Sequence, residues 1–493
     1  MVNYPVLVFR SWSGSMAMVQ ISILSGEEIE LVHEHTLQIL RETGVRVYSN
    51  RGLDVLETGG AIVDRKTMRA LIPETLVRET LKRVPRKVNL CARNPKQDMP
   101  APREGPPYMA TNGTAVYMTD LEDGSRRATT GKDLKDFMVV CDAMDPLDYV
   151  WPIVTAHDAP EKTHALTELS ISLANTTKHV QGEAMSSEEA LAEIEVAAAI
   201  AGSKDALSKR PLFSVIQCPI CPLEFEKGSA DAVVEFAKAG IPVVSMSMAL
   251  CGLTSPVTLA GTAAVVNAEN IASFAISQMT KAGAPVIYSS ESSAADMLTG
   301  EIHYGSVEEM LLASAAAQMA RHYGVPSMVG GLGVSLAGEV PGINTNPSEL
   351  IFSSMSSATL TDYASGLGGL DQAKGASLEQ IVIDCDIWEM IREFRRSVKF
   401  DDEHFATDLI KKVGPGGTFL KEAHTSRNMR KELFLPTKEA SDRYKSYRLS
   451  RPTKEIVRQA RERAKKILAS HKPEPLDSDA AKKVKSVLDR FSG

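Results

Sequence analysis

Residues 240–250, GIPVVSMSMAL, decide the fold, because the same pattern returns at 283–290, GAPVIYSS, and at 324–331, GVPSMVGG. Each stretch begins with glycine, which is typical of a helix C-terminus, and proline follows two positions later at the entry of an apolar run. A segment of helical length and periodicity comes after each run. Three such junctions predict one repeated strand–helix unit.

The repeat extends through the middle of the chain. We predict seven strands, at 149–156, 179–184, 212–217, 242–250, 285–290, 327–334 and 361–367. We predict helices near 161–175, 187–201, 225–239, 257–282, 306–323, 346–358 and 375–398. This alternation is typical both of a closed barrel and of a doubly wound open sheet. Seven successive units with short connections and no dinucleotide-binding fingerprint favour an α/β fold, the (β/α)8 TIM barrel. An eighth strand is not evident.

The chain divides into a disordered or misannotated start at 1–24, an N-terminal cap of helices and a hairpin at 25–130, the barrel at 131–400 and a C-terminal helical extension at 401–493. Met16 and Met18 are alternative starts, because regular helix signals begin only near Ser25. Ser25 and Glu28 have the spacing of a capping box. The charged extension is expected to wrap the barrel or to join subunits.

Composition excludes several classes of partner. The net charge is -7 with interspersed basic residues, so no nucleic-acid footprint is present. The longest apolar runs are far shorter than the roughly 20 residues of a membrane helix, and no signal peptide precedes them. Six cysteines in 493 residues do not make a disulfide scaffold. We expect a cytoplasmic protein with reduced thiols and neither a membrane nor a nucleic-acid partner.

Functional residues of such barrels stand on the loops that follow the strands. Glu183, Glu291 and His157 hold such positions and are the predicted catalytic residues. The alternative for each is a local hydrogen bond at a strand end. Cys218 and Cys221 have the CxxC spacing of zinc and redox sites, but no second pair completes a ligand set, so no intrinsic metal is expected.

Two glycine-rich stretches follow the last strands, VGGLGVSLAG at 329–338 and SGLGGLD at 365–371. Neither has the spacing of a Rossmann or Walker loop. Two interpretations stay open. The glycines bring backbone N–H groups to a phosphate or flavin, or they clear the barrel mouth for a large planar cofactor.

Several ordered stretches resemble the trimethylamine methyltransferase family: EEIELVHEHTLQILRETGVRV (27–47), PVIYSS (285–290), ADMLTG (295–300), HYGVPS (322–327), GLGGLD (366–371), SLEQIVID (377–384) and GPGGTFLKEAHT (414–425). The resemblance implies a barrel that moves a methyl group to the Co(I) of a corrinoid (cobalamin) on a partner protein. Members acting on trimethylamine carry pyrrolysine in the region that aligns with 330–336, which here reads GGLGVSL. A quaternary amine leaves as a neutral tertiary amine and needs no such residue. The resemblance therefore implies a non-pyrrolysine enzyme of methylamine metabolism that demethylates glycine betaine or a similar betaine onto a cognate corrinoid protein, as a homo-oligomer.

An aromatic cage suits a quaternary cation better than a carboxylate does, because the positive charge disappears as the C–N bond breaks. The aromatic candidates are Tyr108, Trp151, Tyr288, Tyr304 and Phe352. A substrate carboxylate is expected at Asn112, Gln217, His157, Arg103 or Lys374. The predicted corrinoid-facing loops contain Gly331, Gly333 and Gly368. Two other functions remain: a flavin- or phosphate-binding barrel enzyme, and a non-catalytic binder of betaine or corrinoid.

Overall fold

The computed structural model describes residues 20–343, 347–393, 396, 398–433 and 453–492. Most of the expected disordered start lies outside the described residues. The N-terminal cap contains, in chain order, α1 (Gly26–Gln38), β1 (Val45–Val47), α2 (Asn50–Thr58), β2 (Ile62–Asp64), β3 (Arg69–Leu71), α3 (Glu74–Arg83), β4 (Val88–Leu90) and β5 (Met99–Ala101). The predicted capping box at Ser25 and Glu28 is confirmed, since each side chain bonds the other residue's backbone N–H.

The barrel segment follows. Its elements are β6 (Tyr108–Thr111), β7 (Tyr117–Thr119), β8 (Arg126–Ala128), α4 (Gly131–Asp142), β9 (Tyr149–Val150), α5 (His164–Asn175), β10 (His179–Gly182), α6 (Ser187–Ala201), α7 (Lys204–Lys209), β11 (Phe213–Gln217), β12 (Glu224–Phe225), α8 (Lys227–Ala239), β13 (Val243–Ser247), β14 (Leu250–Cys251), α9 (Leu259–Thr280), β15 (Val286–Ser290), β16 (Ser293–Ala294), α10 (Val307–Tyr323), β17 (Ser327–Val329), α11 (Pro347–Ser356), β18 (Tyr363–Leu367), β19 (Gly369–Leu370), β20 (Gly375–Ala376) and α12 (Leu378–Arg392).

Eight parallel strands close into a barrel in the order β6, β9, β10, β11, β13, β15, β17 and β18, and β18 then pairs with β6. The predicted (β/α)8 barrel is confirmed. The missing eighth strand is β6, which lies inside the segment assigned to the cap. The barrel therefore begins at Tyr108 rather than at residue 131. Strand β6 has only four residues, and the predicted hairpin β7–β8 separates it from its helix.

The end of the barrel at the strand N-termini is closed by the hairpin β4–β5. Val88, Leu90 and Met99 from this hairpin pack with inward-facing residues of the barrel strands. The Tyr363 hydroxyl donates to the Met99 carbonyl oxygen at 2.8 Å. The loops that follow the strands form the opposite end of the barrel.

Helices form the outer layer. Helix α9 is long and apolar enough to cross a bilayer, but most of it is buried inside the protein, which is the pattern of a core helix. The C-terminal extension contains α13 (Asp402–Phe405), α14 (Thr407–Val413), α15 (Ala423–Glu432), α16 (Thr453–Ser470) and α17 (Ser478–Ser492). Arg461 and Arg463 of α16 form ion pairs with Glu379 and Asp386 of α12, so this helix lies along the barrel.

Gly366, in β18, lies directly on the loop that follows β17. Its φ is +132°, and a Cβ there would lie 2.5 Å from the Leu332 nitrogen. We predict that Gly366→Ala lowers the free energy of unfolding by on the order of 1–3 kcal/mol or more, because neither the φ nor the backbone neighbour can adjust. Gly283→Ala is the control, since its φ is +79° and nothing lies within 4 Å of its Cβ position. Urea denaturation compares the two, and equal losses would contradict the close packing.

Candidate active site

Side chains along each barrel strand alternate between the interior and the helical layer. Ile216, Met246 and Ile287 belong to the interior cluster, whereas Val215 and Val286 belong to the core outside the strands. Counting in steps of two to the strand ends identifies the inward-facing positions at the mouth of the barrel. These are Asn112, Trp151, Glu183, Cys218, Met248, Glu291 and Gly330.

The mouth is open down to this layer. Cys218 has an exposed side chain. Burial nevertheless is the largest cause that raises the pKa of its thiol, followed by the charges of Glu183 and Glu291. Both observations hold if the thiol lies on the floor of a deep depression that solvent reaches. The depression therefore has two acidic walls.

Glu291 and Tyr304 form a buried, hydrogen-bonded pair in this depression. The Tyr304 hydroxyl donates to Glu291 Oε1 at 2.7 Å. Both side chains are buried, at 8% and 3% exposure. Burial raises the pKa of Glu291 to about 7, and the hydrogen bond from Tyr304 opposes part of that rise because it stabilises the carboxylate. Glu291 can therefore exchange a proton near neutral pH.

The first two glycines after β17 make room for carboxyl groups. A Cβ at Gly330 would lie 1.9 Å from Glu291 Oε2, and a Cβ at Gly331 would lie 2.2 Å from Glu309 Oε1. The Gly305 N–H donates to Glu309 Oε2 at 2.6 Å. Burial raises the pKa of Glu309 well above its usual range, and the charge of Glu291 adds to the rise. Glu309 was not predicted from the sequence as a site residue, because its spacing after Ser306 indicates a helix cap.

The third predicted catalytic residue, His157, lies apart. Its Nδ1 is 3.2 Å from the Thr129 hydroxyl. It lines a cavity of about 880 Å³ at the side of the mouth, together with His164, Glu183, Glu189 and Phe491. Glu183 thus lines the cavity of His157, and its charge also acts on Cys218 together with that of Glu291, whereas Glu291 does not line that cavity. Burial raises the pKa of Glu183, and the charge of Glu189 raises it further.

Two predicted residues point away from the mouth. Tyr288 packs against Phe274 of α9, and its hydroxyl donates to Asn267 Oδ1 at 3.1 Å. Gln217 accepts a hydrogen bond from Ser273 of the same helix at 2.6 Å. Strand alternation therefore places both predicted substrate-binding residues in the helical layer and not at the mouth.

Two further aromatic candidates lie away from the mouth. Tyr108 begins its strand and therefore lies at the closed end, where it stacks on Tyr363 and carries the Arg103 guanidinium 3.7 Å above its ring. Arg103 is excluded from the mouth for the same reason. Phe352 is buried in the core outside the barrel, on α11.

Trp151, Asn112 and Tyr304 remain at the mouth. Trp151 is partly buried and packs on the interior cluster. A Cβ at Gly113 would lie 2.4 Å from its ring, so this glycine admits the indole. Its Nε1 is buried and has no hydrogen-bond partner among the described residues. Lys374, which follows the last barrel strand, is paired with Glu301 and Asp371.

The glycine loops are filled by the protein itself. The Cβ positions of Gly331, Gly333 and Gly368 would meet Glu309, the Gly366 carbonyl and Ile381. The space beside these three predicted corrinoid-facing glycines is therefore occupied by the protein's own atoms.

Neighbouring N–H groups are also occupied. Gly368 donates to Asp384 at 2.7 Å, and Ala337 donates to Glu349 at 2.6 Å. The phosphate interpretation gains no support from these N–H groups.

The two cysteines of the CxxC stretch point to different places. Cys221 donates to Glu269 Oε2 at 3.1 Å, whereas Cys218 faces the mouth. In the described part of the chain, no three His, Cys, Asp or Glu side chains are grouped as metal ligands are.

Comparison with known proteins agrees with this architecture. The profile of the family described as trimethylamine methyltransferase (MTTB) matches residues 12–491. The chain belongs to this trimethylamine methyltransferase family. The trimethylamine methyltransferase MttB of Desulfitobacterium hafniense strain DSM 10664 is 31% identical over 474 residues, 94% of this chain and 93% of that protein.

Two other proteins are similar. The glycine betaine methyltransferase of Desulfitobacterium hafniense strain Y51 is 31% identical over 469 residues, 95% of this chain and 96% of that protein. The crystal structure of the Methanosarcina barkeri monomethylamine methyltransferase (MtmB) has a TM-score of 0.47 and 12% identity, and the match covers 90% of this chain and 92% of that one. The chain is thus a methyltransferase of a family with members named for methylamines and for glycine betaine.

We predict that Glu291 is protonated below pH 7 and ionised above it. In pH-difference infrared spectra, protonated-carboxyl absorbance should be lost with a midpoint near 7. Glu291→Gln should remove the Glu291 share of that loss and leave the share of Asp384, whose pKa burial also raises to about 7. Tyr304→Phe should move the midpoint upward, because the carboxylate loses the hydroxyl that stabilises it. A band that titrates near 4, where free glutamate does, would contradict the burial of this group.

Proposed function

We propose that this chain transfers a methyl group from a quaternary amine to the Co(I) of a corrinoid carried by a partner protein. The observation that carries the proposal is the sequence of the loop that follows β17 in this member of the family. Its residues 330–336, GGLGVSL, contain no electrophilic side chain, and carboxyl groups fill the space beside the first two glycines. The substrate must therefore already contain a good leaving group. A quaternary nitrogen provides one, because it leaves as a neutral amine.

The walls of the depression suit this chemistry. Met248 and the rings of Trp151 and Tyr304 provide apolar surface, and ring faces attract a desolvated cation by up to about 2 kcal/mol. Because the charge vanishes at the transition state, a firmly ionised carboxylate would stabilise the substrate more than the transition state. Glu291 avoids part of that cost, since burial raises its pKa to about 7 and so leaves roughly half of it protonated at neutrality.

The polar end of a betaine has two candidate donors at the mouth. The Trp151 indole N–H has no partner among the described residues, and a buried donor left unpaired costs about 1–3 kcal/mol. Asn112 is buried at the end of β6, and its Nδ2 donates to the Gly113 carbonyl oxygen at 3.2 Å. We propose Trp151 as the first contact for a substrate carboxylate or hydroxyl.

A corrinoid bound to a second protein fits this face of the barrel. The depression is open to solvent at Cys218. Large apolar side chains are exposed on the loops that follow six of the barrel strands: Val116, Met185, Ile220, Leu253, Val257, Met297, Leu298 and Val340. Exposed apolar groups around an opening are typical of a docking surface. We propose that the corrinoid protein docks here, in the cytoplasm, where reduced thiols and Co(I) persist together.

Activity is the direct test. We expect the purified chain with Co(I) corrinoid protein and a panel of quaternary amines to consume the Co(I) absorbance with at least one of them. Trp151→Ala should raise the KM for that amine about 30-fold, which corresponds to about 2 kcal/mol of ring–cation attraction. Trp151→Phe keeps a ring and should lose less. Unchanged Co(I) spectra with every amine would reject the proposal.

The docking surface can be tested separately. Leu298 is 97% exposed in the loop after β15. Leu298→Asp should raise the KM for the corrinoid protein about tenfold, because a charge in an apolar contact must be desolvated. Leu31→Asp is the matched control, since Leu31 is 52% exposed on α1, far along the chain from the mouth loops. Equal KM values for both variants would place the partner elsewhere.

A further inference from the structure

The proposed reaction gives no role to the carboxyl of Glu291. Cleavage of a quaternary amine needs no acid, yet the mouth contains the buried carboxyl of Glu291. None of the other inward-facing strand-end residues is Lys or Arg, so no cation at this layer explains it. Its Oε1 accepts from Tyr304, and its Oε2 is turned toward Gly330. Removing a carboxyl from water without an ionic partner is costly, which points to a use for its proton.

The product of methyl transfer supplies that use. When the C–N bond breaks, its electron pair stays on nitrogen, and the leaving group is a neutral tertiary amine with a basic lone pair. Aliphatic amines titrate near 10, as the lysine amine does. The methyl carbon forms its new bond with the electron pair of Co(I). The free lone pair is then held beside the methylated corrinoid, where it can attack the same carbon in the reverse direction.

We propose that Glu291 protonates the tertiary amine released by methyl transfer, so that the product leaves as an ammonium ion. The inference rests on the proposed function. The O–H bond of the carboxyl breaks, the proton forms an N–H bond with the lone pair, and Glu291 is left as a carboxylate. The Tyr304 hydroxyl, at 2.7 Å, stabilises that carboxylate. Water returns the proton after the ammonium ion has left.

Among Glu291 and the proton-carrying groups around it, Glu291 is the one whose pKa is about 7. Tyr304 from the same loop and Cys218, which follows β11, have pKa values raised by burial, so both hold their protons at pH 7. Burial also raises the pKa of Glu309, from α10, well above its usual range. The pKa of Glu183, from β10, is also raised. The pKa of Glu291 is about 7, so it gives up its proton more readily than Tyr304 and Cys218 do.

The reverse reaction has a distinctive pH dependence. By microscopic reversibility, ionised Glu291 takes the proton from an incoming ammonium ion before the amine attacks. Below pH 7 Glu291 is protonated and cannot accept that proton, so reverse transfer should be slow. It should rise with a midpoint near 7 in the wild type. In Glu291→Gln only amine that is already neutral can react, so the rise should move toward the amine's own pKa near 10.

The experiment measures methyl transfer from methylcobalamin to dimethylglycine and to dimethylaminoethanol between pH 5.5 and 10.5. We expect the Glu291→Gln midpoint about three pH units above that of the wild type. Tyr304→Phe should shift it upward by a smaller amount. The matched control is Glu269→Gln, which changes a buried carboxyl of α9 that bonds Cys221, and it should keep a midpoint near 7. An unchanged midpoint in Glu291→Gln overturns the proposal.

Three further outcomes decide either this proposal or the proposed function on which it rests. If Glu291→Gln does not fold, an unchanged midpoint in Tyr304→Phe overturns the proposal, and an upward shift supports it. If the wild type transfers methyl groups from quaternary amines but shows no rise of the reverse rate near pH 7, Glu291 is not the proton donor and the proposed function stands. If it transfers in neither direction with any amine, the proposed function itself fails.

Discussion

The period of two along parallel strands is the constraint on which the site depends. Once β15 is fixed in the barrel, Ile287 and Glu291 must face inward and Tyr288 must face the helices. The same parity brings Trp151, Cys218 and Glu183 to one layer at the mouth. A shift of one residue in any strand would exchange its inward and outward side chains.

This constraint also explains which strands and site residues could be predicted from the sequence. Seven strands and their helices were predicted, because glycine and proline mark their junctions and each strand is followed by a helix of its own. Strand β6 was missed, since YMAT is short, follows a proline-rich loop and precedes a hairpin. Glu183 and Glu291 were found because position after a strand was the criterion. Tyr108, Tyr288 and Phe352 were chosen as aromatic residues near a predicted mouth, and residue type alone does not give direction.

Carboxyl groups organise the loops around the depression. Asp384 of α12 accepts N–H groups from both glycine-rich stretches, from Gly368 at 2.7 Å and Val334 at 3.4 Å. Burial raises its pKa to about 7. Glu291 and Glu309 occupy the space beside Gly330 and Gly331. The glycines therefore allow close packing against acidic side chains. Their spacing in the sequence does not indicate this role, which depends on three-dimensional contacts.

The closure of β18 onto β6 has a consequence for biosynthesis. The first barrel strand leaves the ribosome about 250 residues before the last one, so β6 waits with one edge unpaired while each later strand is added. Unpaired edges invite wrong partners in nascent chains. The hairpin β4–β5, made just before β6, can already cover the inward faces of the early strands. It offers the growing polypeptide a nucleus on which the remaining strands assemble in the order of translation.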